Sequence, residues 1–190
     1  MSAGLLRRSW CILEKDLRLE WRSREVVYSA AFFALIVALV FAFGVLEQGL
    51  RARMASAALW VCLLFAGSNA LQRSFERERE GRVLRALLLT GRIGWPLFIA
   101  KVASNFLFLS LVLGLAAPLG FVLLGAAVPE RPWAFAASLL LGAAAFATVG
   151  TLVSAMVGEL RLRALLFPVV LFPLMIPIFV LGVSASSAFM

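Results

Sequence analysis

The side chains able to do chemistry in this sequence are few, and their densest run lies between residues 72 and 101. Arg73, Glu76, Arg77, Glu78, Arg79 and Glu80 follow one another around Phe75, and Gly81 closes the run. On a helix, Arg73 with Glu76, Glu76 with Arg79 and Arg77 with Glu80 stand three residues apart and support one another. After Gly81, which should interrupt that helix, Val83, Leu84, Leu87 and Leu88 form an apolar stripe beside Arg82 and Arg85, the pattern of a short amphipathic helix. Gly94, Trp95 and Pro96 read as a turn, with Pro96 suited to the first position of the helix that follows. The chemistry on offer is recognition: a short helix projecting from a membrane domain is a handle for a partner protein. The plainer alternative for Glu76 to Glu80 is a solvated helix end.

Other chemistries are poorly supplied. The chain has no histidine, so it offers no imidazole to haem. Its long apolar stretches contain no Asp, Glu, Lys or Arg, whereas proton relays and ion-coupled transport place ionisable groups inside the bundle. No GxxxxGK[ST] loop is present to cradle nucleotide phosphates. Cys11 and Cys62, the only cysteines, match neither a disulfide framework nor metal-ligand spacing and read as apolar packing residues. The expectation is a subunit with no catalytic, cofactor or metal site of its own, driven by energy from elsewhere.

The elements that must position the charged loop are membrane helices. Of 190 residues, 63% are apolar and 15% charged, against roughly 45 to 50% and about 25% in soluble domains. Five uncharged stretches stand out: Val26 to Leu46, Met54 to Leu71, Val102 to Val128, Trp133 to Gly158 and Ala164 to Ser184. About 20 helical residues cross a hydrocarbon core of about 30 Å. The fold expected is all-α and integral to the membrane, with residues 1–25 as an interfacial helix and 26–190 as the transmembrane domain. Basic residues number six before the first span, seven from Arg73 to Lys101, and two in Arg161 and Arg163, against Arg51, Arg53 and Arg131 on the other side. That asymmetry places the N-terminus and the 72–101 loop in the cytoplasm. It also accounts for the net charge of +8 by attraction to anionic headgroups, without nucleic acid. Leu6, Trp10, Leu13, Leu17 and Trp21 give the first segment one apolar face, suited to lying along the cytoplasmic surface.

Two spans carry further patterns. In the fourth, Ala143, Ala147, Thr151 and Ala155 recur every four residues beside Gly150, Ser154 and Gly158, so helices can approach closely there, within the subunit or across a dimer. In the fifth, Pro168, Pro173 and Pro177 each remove a backbone donor and favour a kink. Asn69, Ser104 and Asn105 are the most polar groups near the cytoplasmic boundary and are expected to bridge helices.

The run Arg73-Ser-Phe75-Glu76-Arg77-Glu78-Arg79-Glu80-Gly81-Arg-Val-Leu84 followed by Leu87-Leu88-Leu89 resembles the first cytoplasmic loop of type-2 ABC transporter permeases, where a charged helix, a glycine and a leucine-rich helix face the ATPase subunit. Leu59-Trp60-Val61, Ala70-Leu71-Gln72-Arg73-Ser74-Phe75, Ala100-Lys101-Val102 and Phe172-Pro173-Leu174-Met175-Ile176-Pro177, in this order, resemble one branch more closely. It is CcmB, the membrane subunit of the cytochrome c maturation system, also called haem exporter protein B. The resemblance implies a dimerising permease subunit of the bacterial inner membrane. Its implied partners are the ATPase CcmA, CcmC and CcmD, and the haem chaperone CcmE, so ATP acts through a partner and haem indirectly. It also implies ATPase coupling through Phe75, Glu76, Arg77, Glu78, Glu80, Gly81, Leu84, Leu87 and Leu88. The family usually has six spans, and the fifth of this sequence is followed closely by Met190. A general type-2 exporter permease for a lipid, drug or polysaccharide, and a non-transporting membrane scaffold, are the alternatives.

Overall fold

The computed structural model describes residues 24–44, 48–80, 94–126, 128–157, 160 and 162–190. Five helices follow in order: α1 (Arg24–Gly44), α2 (Gln48–Glu80), α3 (Gly94–Leu124), α4 (Pro132–Val157) and α5 (Arg163–Ser187). Among the described residues there is no strand. Each helix coincides within a few residues with one of the five uncharged stretches, except that α2 runs far beyond its stretch and α3 begins well before its own. Four contain segments long and apolar enough to cross a membrane: Leu50–Asn69, Leu97–Leu124, Pro132–Val157 and Leu165–Ser187. The 21-residue α1 carries a shorter apolar run over Ala31–Gly44. The chain is an integral membrane protein. The expected interfacial helix, with Cys11, lies outside the described residues except where α1 begins.

The bundle is organised around α2, which packs against each of the other four helices. Its buried residues, among them Ala55, Ser56, Leu59, Trp60, Cys62, Leu63, Ala66 and Leu71, leave it little lipid-facing surface. By contrast α5 keeps Leu165, Val169, Leu174, Ile176, Val180 and Leu181 exposed and, among its described side chains, buries only Phe167, Leu171, Met175 and Ser186. Aromatic contacts tie the outer helices to α2: the Phe33 and Phe65 ring centroids are 5.1 Å apart, and Phe65 and Phe172 6.4 Å.

Between α2 and α4, bulk and emptiness are exchanged in both directions. A Cβ placed on Gly142 would overlap the Trp60 indole, one on Gly67 would overlap the Phe146 ring, and one on Gly150 would overlap Leu71. Gly182 of α5 meets the same Trp60 ring from another side. Side chains that give up lipid contacts on burial are compensated by dense packing, because lipid tails are as apolar as leucine.

Gly142→Val should therefore destabilise the bundle by about 2 kcal/mol through overpacking. Adding Trp60→Leu should offset part of that loss, since two residues in contact do not act additively. Thermal unfolding of the detergent-solubilised chain reads both; strictly additive effects would mean that the indole does not occupy the space above Gly142.

Candidate functional site

The charged run is part of α2 itself. The helix continues for 33 residues, about 50 Å, while its apolar window ends at Asn69. The remaining 11 residues, 70–80, carry it about 16 Å further. Phe75, Glu76, Arg77, Glu78 and Glu80 thus stand on the same rigid rod that forms the centre of the bundle. Gly81, Leu84, Leu87 and Leu88 lie outside the described residues.

Where the rod enters the bundle, polar groups gather on α3 and α4. Lys101, Ser104 and Asn105 are each no more than 3% exposed. The reading of uncharged spans needs correction here: α3 begins at Gly94 and its membrane-spanning segment at Leu97, so Lys101 lies inside it. The hydropathy boundary was drawn at the charge, whereas the helix carries that charge inward on its packed side. One turn on, the Asn105 side-chain amide donates to Thr151 Oγ1 of α4 at 3.1 Å, a buried bond between helices. Ser104 Oγ donates to the Lys101 carbonyl at 3.4 Å. Of the three polar residues expected to bridge helices, Asn105 does so directly, and Asn69 is exposed.

The α4 small-residue stripe faces inward as far as Ser154: Ala143, Ala147 and Thr151 are fully buried, and Gly150 and Ser154 are buried beside them, whereas Ala155, expected to continue the stripe, is exposed. Gly158 lies outside the described residues. Helix α5 passes through Pro168, Pro173 and Pro177 without a break, with Pro173 and Pro177 exposed and Pro168 half-buried.

A second polar cluster sits at the opposite end of the bundle, and the sequence reading missed it. Trp60 Nε1 donates to Ser186 Oγ at 3.0 Å. Ser56 Oγ lies 3.0 Å from Ser186 Oγ and 3.7 Å from Met190 Sδ. The Ser186 hydroxyl in turn donates to the Gly182 carbonyl at 2.8 Å. Phe179 meets the Trp60 ring edge-on at 5.4 Å. The four-residue spacing of Ser56 and Trp60, which puts both on one α2 face, was the available signal. Among the described residues, no three His, Cys, Asp or Glu side chains gather closely enough to hold a metal.

These features define a multi-pass, all-helical membrane protein whose central helix leaves the bundle as a charged rod. Comparison with known proteins gives the family. Residues 7–190 match the family described as CcmB protein, and the chain belongs to it. It is 37% identical over 174 residues to heme exporter protein B of Rhodobacter capsulatus, covering 90% of this chain and 78% of the relative. The corresponding protein of Paracoccus denitrificans is 35% identical over 92% of this chain and 80% of its own length. That of Pseudomonas aeruginosa is 30% identical over 93% and 79%.

The Asn105–Thr151 bond predicts a modest, specific coupling. Thr151→Val keeps the shape and removes the acceptor, so it should cost about 1 kcal/mol, and a double-mutant cycle with Asn105→Ala should return about 0.6 to 1.7 kcal/mol. Unfolding of the four variants in bicelles gives the value; a zero coupling energy would remove the bond from the account.

Proposed function

We propose that this chain is the membrane permease subunit of an ABC-type haem exporter complex of the bacterial inner membrane, and that it is not itself an enzyme. Family membership and the relatives' name, heme exporter protein B, support the haem assignment. The observation that carries the coupling mechanism is the continuity of α2 from the packed centre into the charged run at 73–80. A force applied to that run by a partner ATPase reaches the whole bundle, since every other helix is seated on α2.

In this reading the N-terminus and residues 72–101 face the cytoplasm, where the ATPase CcmA engages Glu76 to Leu88. Phe75, Glu76, Arg77, Glu78 and Glu80 supply the rod end, Gly81 sets the angle to the next segment, and Leu84, Leu87 and Leu88 fill a groove on the ATPase. ATP binds and is hydrolysed on the partner. The membrane movement that follows, in a homodimer assembled with CcmC and CcmD, delivers haem or releases the haem-loaded chaperone CcmE for cytochrome c maturation. Pro168, Pro173 and Pro177 bend or hinge α5 during that movement.

Co-purification of the tagged full chain with CcmA from detergent tests this assignment. Leu84→Asp, or charge reversal at Glu78 together with Glu80, should reduce CcmA recovery by about tenfold, because truncating or charging a buried interface anchor costs about 1.4 kcal/mol or more. Recovery undiminished by both substitutions would move the ATPase contact elsewhere. No recovery even with the native loop would favour the scaffold alternative.

A further inference from the structure

The far half of α5 is packed on the bundle by half-buried side chains, with Phe179 meeting Phe146 of α4 at 6.3 Å and Ile178 and Val183 lying against the core, and it is bonded to α2 through one buried hydroxyl. Beyond Met175, the only fully buried α5 residue is Ser186. Phe179, Gly182 and Ser186 recur at three- and four-residue spacing, and all three meet Trp60: an edge-on ring contact, a glycine against the six-membered ring of the indole and a hydrogen bond. Ser56, one turn away on α2, adds its hydroxyl to the same Ser186 oxygen. The near half is seated separately, through Phe167, Leu171 and Met175.

Between the two halves the backbone is weakened. Pro173 and Pro177 lack the N–H groups that would bond the carbonyls of Val169 and residue 173, so two successive turns each miss a rung. Neither proline ring is packed into the core; both are exposed. A segment with a weakened joint at one end and a polar attachment to α2 at the other has a seated and a released arrangement relative to α2, while Phe179 keeps its packing partner Phe146 on α4. Hydrogen bonds between membrane helices are modest in strength, so such an attachment can open within a cycle.

We propose that Trp60, Ser56 and Ser186 form a releasable clasp at the end of the bundle opposite the charged rod, and that the segment beyond Pro177 swings away from α2 when the partner ATPase acts. Ser186 is a positioning residue: it holds α5 against the helix that carries the ATPase contact. The clasp rests on the transporter reading above and adds to it the site of movement. Because α2 holds both the rod at 73–80 and the clasp at 56 and 60, nucleotide-driven tilting of the rod displaces the clasp directly.

The test uses the full chain carrying Ser56→Cys and Ser186→Cys, assembled with CcmA and its other partners in membrane vesicles. Oxidation joins the two sulfurs, each thiol losing a proton and the pair losing two electrons to an added oxidant such as copper phenanthroline. Locking the clasp should lower ATP-dependent release of the haem-loaded chaperone by about tenfold or more while CcmA remains bound, and a phosphine reductant should restore it. A merely structural role predicts no such reversible loss. Full release with the disulfide verified by mass would overturn the proposal. Should the reduced double variant itself fail to assemble, the single variants Ser186→Ala and Ser186→Thr decide. Release altered at least about threefold by Ala and recovered by Thr supports the clasp, and unaltered release with Ala overturns it. If the native chain fails to recover CcmA, the transporter reading falls and the clasp with it; if CcmA stays bound and only the locking has no effect, the clasp alone falls.

Discussion

The exchange of bulk for glycine between α2 and α4 is the constraint on which the rest of the bundle depends. Trp60 sits over Gly142, Phe146 over Gly67 and Leu71 over Gly150. The two helices run in the same direction, so the three contacts climb the seam in register. In water such side chains would be driven together by loss of solvent; in lipid that term vanishes and only closeness of packing favours one neighbour over another. Each glycine removes the atoms that would hold the backbones apart and leaves a hollow of the partner's shape. A helix fixed along this seam is fixed at the centre, which is why α1, α3 and α5 can all be built around α2.

Hydrogen bonds then act at the two ends of the seam. Near the charged rod, Asn105 on α3 reaches Thr151 on α4; at the far end, Trp60 and Ser56 on α2 reach Ser186 on α5. Polar groups this deep have no water to turn to, so each must be satisfied by protein. That requirement makes them directional where the packing of methyl groups is not. The apolar seam sets how near the helices come, and the polar pairs set how they are rotated and how far each slides along its neighbour.

The five helices were legible because charge is expensive in hydrocarbon, and the chain writes its spans as gaps between charges. The same rule misled at Lys101: a boundary placed at a charge cannot see a lysine that the helix turns into the bundle. The small residues at 143, 147, 150, 151 and 154 announced a close approach, and all five are buried within the chain. Their bulky counterparts did not announce themselves. A soluble helix marks its packed face by polarity, whereas Leu171 and Leu181 on α5 are equally apolar, one fully buried and one largely exposed. Trp60 and Ser186 are separated by 126 positions, and nothing in local spacing connects them. The proposed ATPase contact rests on a charged run and a resemblance, and its leucines at 84, 87 and 88 lie outside the described residues.

The contrast between α2 and α5 bears on the proposed transmission of movement through the bundle. Helix α2 has no proline along its 33 residues, and its backbone ladder is uninterrupted from Gln48 to Glu80; α5 has three prolines within ten. Stiffness is needed where displacement is transmitted and weakness where it is released. A rod about 50 Å long pivoting near its middle by about 5° moves each end by about 2 Å. Trp60 and Ser56 stand about 6 and 12 Å from that middle, so the same tilt moves them by only about 0.5 and 1 Å, and the seam contacts at Gly67 and Leu71 lie at comparable distances on the other side. Trp60 belongs at once to the α2–α4 seam and to the bond with Ser186, so a tilt of α2 strains both together. What separates the two helices is the backbone, continuous along α2 and missing rungs at three prolines along α5.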